Sequence, residues 1–243
     1  MAVTDRPDYS FVKGEILISL CNFELPAAVL LFPIVFFGAG KDLNLYAMVG
    51  IEKGQNLFVD HAGHWATQFI PSILKTYPFR LGTWSDGKNI LLVDEKSSLF
   101  VSKENGNPLF DEDGIETQVV KKYTRLLEQM NKSYTSSRSA LSILEEYELL
   151  EPFSLKIEST AKKTINMSGL SRISSEKLYS LEQEKFLELR KTRALELIYA
   201  HLFSMNNLPR LVKLWELKKK SEEGLKDIGA KIFDEEELNF NFD

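Results

Sequence analysis

The sequence predicts an α+β fold in which a strand-rich N-terminal part packs on a helical C-terminal part as a single compact unit. Up to about residue 110 the apolar runs are short, rich in Val, Ile and Phe, and separated by turn residues, which is the strand pattern. From Ile115 onward apolar residues recur at spacings of three and four, the period of an amphipathic helix. No flexible linker separates the two parts near residue 112, and elements of one compact domain join through short connections. The expected domain covers residues 1–223, strand-rich over about 11–110 and mainly helical over about 114–223. An acidic tail, 224–243, is expected to be loosely ordered.

In chain order, the predicted strands are Glu15–Cys21, Val29–Phe37, Asn44–Ile51, Ile90–Asp94 and Leu99–Val101. The glycine-rich turn Gly38-Ala39-Gly40-Lys41-Asp42 divides the second from the third, and Asn105-Gly106-Asn107-Pro108 closes the region. A helix from His64 to Tyr77 interrupts it, with Trp65, Phe69, Ile73 and Leu74 on one face and a kink expected at Pro71. Asp113-Gly114-Ile115-Glu116 reads as a capping box. Ile115, Val119, Tyr123, Leu127, Met130 and Tyr134 then form an apolar stripe. A second helix is expected from Ser137 to Leu150, stopped by Pro152, with one strand at Phe153–Ile157. Beyond Ser174 the pattern is helical: a capping box at Ser180–Gln183, then a stripe of Leu195, Ile198, Leu202 and Met205. Asn206-Asn207 breaks that helix, and Pro209 suits the first turn of the next, which presents Leu211, Leu214 and Trp215.

Composition excludes several classes of function. Lys+Arg is 30 against Asp+Glu 35, a formal charge of -5, so the surplus cations that bind phosphate backbones are missing and no nucleic-acid partner is expected. The longest uncharged apolar run, Leu25 to Phe37, is too short to span a bilayer and contains Pro26 and Pro33, so no membrane span is expected. Residues 1–10 carry Asp5, Arg6 and Asp8 without an apolar stretch, which does not read as a Sec signal; the expected location is cytoplasmic. Export by a route that reads the C-terminal residues Asp234 to Asp243 stays open. The one cysteine, Cys21, ends an apolar strand and is expected to pack in the core rather than react.

Motifs for bound groups fail at particular positions. Gly38-Ala39-Gly40 lacks the third glycine of a dinucleotide fingerprint, because Leu43 stands there. Lys41 is followed by Asp42 rather than Ser or Thr, against a phosphate loop. Asp60, His61 and His64 form one metal-like cluster without an evident further ligand, so His61 and His64 are weak metal candidates and no cofactor is expected. No Ser/His/Asp or Cys/His arrangement is evident, and Glu145, Glu146 and Glu148 read as a solvated helix face. The unusual segment runs from Asn56 to Trp84, where aromatic residues alternate with Pro71 and Pro78. It reads as a core aromatic cluster or as a binding groove. Trp65, Tyr77, Phe79, Arg80 and Trp84 are the candidate binding residues, since aromatics beside an Arg suit recognition.

The same segment resembles the SapC-like bacterial proteins, a family named for a gene associated with surface layers. Asn56-Leu57-Phe58-Val59, Gly63-His64-Trp65, Phe69-Ile70-Pro71 and Tyr77-Pro78-Phe79 carry the resemblance. Phe32–Phe36 and Gly50 extend it upstream. Gly106–Phe110 with Gly114, Leu144 to Pro152 and Ile198–Ser204 extend it downstream, to cover roughly residues 15 to 216. The resemblance brings no catalytic residues. It implies a soluble, non-enzymatic bacterial accessory protein that binds a protein partner, a surface-layer or envelope component. The rival is an enzyme or small-ligand-binding protein of unrecognised type, its site between sheet and helices, with Tyr77, Arg80, His64 and Asp94 as polar contributors.

Overall fold

The computed structural model describes residues 1–85, 87–158 and 164–234, and its class is α+β. Strands β1 (Ala2–Val3) and β2 (Leu17–Ser19) are followed by a single helical turn, α1 (Leu25–Ala28), then by β3 (Ile34–Phe37) and β4 (Asn44–Met48). Next come α2 (Ser72–Thr76), β5 (Phe79–Thr83), β6 (Asn89–Val93), β7 (Phe100–Val101) and β8 (Asn107–Pro108). The long helix α3 (Gln118–Glu146) leads into β9 (Leu150–Glu158) and β10 (Thr164–Ile173), and α4 (Ser175–Tyr179), α5 (Gln183–Lys191), α6 (Ala194–Ser204) and α7 (Leu208–Asp234) complete the chain. Of the tail expected from residue 224, the part to Asp234 continues α7, and residues 235–243 lie outside the described residues.

The main sheet is antiparallel, in the order β2-β4-β3-β10-β9. Its central strand β3 buries Ile34, Val35 and Phe36 completely, the pattern of a strand covered on both faces. Helix α6 reaches the start of this strand through polar contacts: Ser204 Oγ accepts the Ile34 N–H at 2.8 Å, and His201 Nδ1 lies 2.7 Å from the Ile34 carbonyl. The principal core joins this sheet to Leu141 and Leu144 of α3, Leu197 and Ile198 of α6, and Trp215 of α7. A second core lies under the first half of α3, where Val120, Leu127 and Met130 meet Val3, Cys21, Phe79 and Leu99.

Several elements differ from expectation for local reasons. The helix expected from His64 to Tyr77 contracts to α2, which starts after Pro71. Upstream, Asp60 Oδ1 accepts the His64 N–H at 2.8 Å and Val59 bridges Trp65, so the chain turns instead of coiling. The two helices expected between Ile115 and Leu150 are one helix of 29 residues. The box at Asp113 does not cap it: Asp111 Oδ1 accepts the N–H groups of Asp113 and Ile115, and the helix begins three residues later at Gln118. It ends at Tyr147, and Glu148 follows with φ 53, so a left-handed residue and not Pro152 stops it. Pro152 lies within β9, an edge strand, where a missing N–H is tolerated. The box at Ser180 likewise fails, since Ser180 ends α4 and Glu182 precedes α5. Val29–Phe37 is strand only from Ile34; Val29 and Phe32 donate to the carbonyls of Leu25 and Ala28 as α1 closes. Strands β1, β5, β8 and β10 have no counterpart among the expected strands, and β10 places C-terminal sequence beside β3.

Candidate functional site

Strands β5 and β6 form a two-stranded ribbon apart from the main sheet. Successive side chains of a strand point to opposite faces. On the inner face, Phe79 is only 1% exposed, its ring 4.4 Å from Tyr123 of α3 and 5.8 Å from Phe100. The outer face carries Arg80, Gly82 and, just past the strand, Trp84. Across the ladder Arg80 pairs with Leu92 and Gly82 with Ile90. A Cβ on Gly82 would lie 2.8 Å from Leu92 Cδ1 and 3.3 Å from Ile90 Cγ1, so both aliphatic chains lean over the glycine. The ribbon closes with the Trp84 N–H donating to Lys88 O at 2.8 Å and the Gly87 N–H to Trp84 O at 2.9 Å. Trp84 is 62% and Leu92 47% exposed. The result is an apolar outward face with one guanidinium on it.

The other candidate binding residues lie elsewhere. Trp65 belongs to the principal core, half-buried against Phe58, Phe32 and Tyr9, its indole N–H shared between Phe69 O and Thr67 Oγ1 at 2.9 Å each. His64 Nδ1 is 3.1 Å from Asp60 Oδ2 at an exposed position, and the His64 N–H holds the Asp60 carboxyl below its usual range. The His61 carbonyl accepts from Lys13 Nζ at 3.0 Å. Among the described residues no group of three or more His, Cys, Asp or Glu could hold a metal ion.

Tyr77 opens onto a cleft of about 520 Å³. Its hydroxyl donates to Asp94 Oδ2 at 2.9 Å, and its ring stacks on Phe11 at 4.0 Å between centroids. One wall is the N-terminal segment after β1, the second is α2, and the third is the start of α3; Val3, Leu74, Leu99 and Leu126 supply apolar lining. The N-terminal wall is fixed because β1 pairs with both β7 and β8, and because the Tyr9 N–H donates to Gly63 O at 2.8 Å. Gly63 has φ +86, and a side chain there would collide with Asp8 and Ser10, so glycine is required for this approach. Of the rival polar set, Tyr77 and Asp94 are joined, while His64 and Arg80 do not line the cleft. Tyr9, Lys75, Lys122 and Tyr123 also line it. In the sequence, the helical spacing of Val119 and Tyr123 is the signal for this wall, and nothing local ties them to residues 3–11.

Cys21 and His201 are committed to the interior. Burial pushes the Cys21 thiol up to about 12, which leaves no thiolate for catalysis at neutral pH. Burial likewise lowers His201 to about 4, so its imidazole is neutral. No helix among the described residues is long and apolar enough to cross a membrane.

The family model described as SapC matches residues 1–211, a span that includes the β5–β6 ribbon and every wall of the cleft. No curated protein and no solved structure matches the chain.

Proposed function

Because the chain belongs to the SapC family, and because its β5–β6 ribbon turns an apolar face outward, we propose that it is a non-enzymatic accessory protein that binds a protein partner through this face. The single observation that carries the reading is the exposure of Trp84 and Leu92 on the ribbon, where Leu92 and Ile90 lean over Gly82 and Arg80 pairs with Leu92. Exposed Trp and Arg are the residue types that dominate binding energy where a partner excludes water from them, and clustered apolar exposure marks interaction surfaces. Phe79 acts from the inner face, holding the ribbon on α3. The family resemblance supports a role in surface-layer or envelope processes, and the proposed location is the cytoplasm.

The test is affinity capture from native bacterial lysate with the wild type, Trp84→Ala and Arg80→Ala. A partner retained by the wild type should be lost from Trp84→Ala, whose cost at a central anchor is about 2 kcal/mol or roughly thirtyfold in affinity. Both variants should melt with the wild type. Equal capture by all three proteins would remove the ribbon from the binding surface.

A further inference from the structure

The cleft beside Tyr77 is distinct from the ribbon's outer face, and its lining has a chemical bias. Tyr9 is only 7% exposed, yet its hydroxyl has no hydrogen-bond partner among the described residues. The phenol oxygen is not fully enclosed, so on the cleft wall it can donate to whatever enters. The Tyr123 phenol on α3 is near enough to raise the Tyr9 pKa, after burial itself, and it too lacks a partner among the described residues. Two exposed lysines also line the cleft, Lys75 on α2 and Lys122 on α3. Neither is ion-paired among the described residues; Lys75 Nζ lies 5.8 Å from the Phe69 ring centroid. The cleft lining therefore combines two lysines and two phenols with apolar and aromatic side chains.

Its carboxylates limit the charge of what can enter. Asp5 and Asp8 also line the cleft, so two acids balance two lysines, and a multiply charged phosphate is disfavoured. Asp8 is already engaged by the Ser10 N–H at 2.8 Å, on the side that faces Gly63. A volume of about 520 Å³ is within the range of sites for small organic ligands. The stacked pair Phe11 and Tyr77 offers aromatic surface on the wall, which suits a flat ring rather than a flexible chain. We propose that this cleft binds an aromatic monocarboxylate, the ring against the apolar lining and the carboxylate between Lys75, Lys122 and the phenols of Tyr9 and Tyr123.

Isothermal titration of the full chain with 1-naphthoate, and with neutral 1-naphthamide of the same shape, tests this directly. The carboxylate should bind at least about tenfold tighter than the amide, the scale of one charge-assisted hydrogen bond. The double variant Lys75→Gln/Lys122→Gln should bring naphthoate down to the affinity of the amide. Tyr9→Phe, which keeps the ring, should weaken naphthoate several-fold and the amide less. Arg80→Ala should bind naphthoate like the wild type, so this outcome is independent of the partner reading. Equal affinity for acid and amide, absence of binding by either, or a double variant that binds naphthoate as well as the wild type overturns the proposal. Melting curves of the three variants confirm that each is folded.

Discussion

Acidification from pH 7 to pH 5 should destabilise this protein through one residue, His201. The imidazole is 1% exposed and neutral, its pKa lowered to about 4 mainly by burial, with the Arg172 charge adding to the effect and the contact with the Ile34 carbonyl opposing it. An unfolded histidine titrates near 6.5. The folded pKa is the lower one, so the unfolded chain takes up the proton first as pH falls. The contribution to stability is therefore whole above about 6.5 and is lost progressively toward 4. Between pH 7 and pH 5 the linkage amounts to about 2 kcal/mol, and it approaches about 3 kcal/mol at pH 4. Urea unfolding of the wild type should show the midpoint falling by roughly 1 M over that interval. In His201→Gln, which retains an N–H donor for Ile34 but does not titrate, the excess loss should vanish. Other titrating groups are common to both proteins and cancel in the difference. The carboxyls held low, those of Asp8, Asp60, Glu104 and Glu151, act below this window in any case. Equal losses in wild type and variant would refute the argument that burial keeps His201 uncharged.

Three further outcomes follow from the packing. Native protein at pH 8 should not react with an aromatic disulfide reagent at Cys21, whose thiol is buried and pushed up to about 12; labelling should appear only as the chain unfolds in urea. Glu24→Ala should cost about 2–5 kcal/mol in chemical denaturation, because the buried Glu24 carboxylate accepts the N–H of Cys21 at 2.8 Å and of Ser72 at 2.6 Å, and both donors would be orphaned. Phe79→Ala should lose about 3–5 kcal/mol, whereas Trp84→Ala at its exposed site should shift stability by less than about 0.5 kcal/mol, a contrast that calorimetry resolves.

The short-range patterns of the chain were legible because they depend on neighbours in sequence. The apolar runs around Ile18, Val35 and Leu45 became strands of the main sheet, and the stripe from Val119 to Tyr134 became one face of α3. The two capping boxes misled because a carboxylate or hydroxyl near a helix start has several backbone donors within reach. Asp111 satisfied the loop before Asp113 could cap the helix. Strand β10 was missed because its sequence, Thr164 to Ile173, mixes Asn, Ser and Gly with few apolar residues. It is held by two neighbours, β9 and β3, and not by its own propensity.

The candidate sites divide in the same way. Sequence alone determined the fold class, the family resemblance and the aromatic richness of the segment from Phe58 to Trp84. It could not say which aromatics face inward, because strand alternation needs a known start. Only the pairing of β5 with β6 put Phe79 under the ribbon and Arg80 on its outer side, among Leu92 and Ile90. The cleft was further out of reach, since Tyr9 and Tyr123 are separated by more than a hundred residues. They meet because β1 is clamped between β7 and β8 while α3 packs over Phe79. Periodicity reports which residues prefer burial, and that much is written locally. Which buried or half-buried groups converge is decided by long-range pairing, and that exists only once the chain has folded.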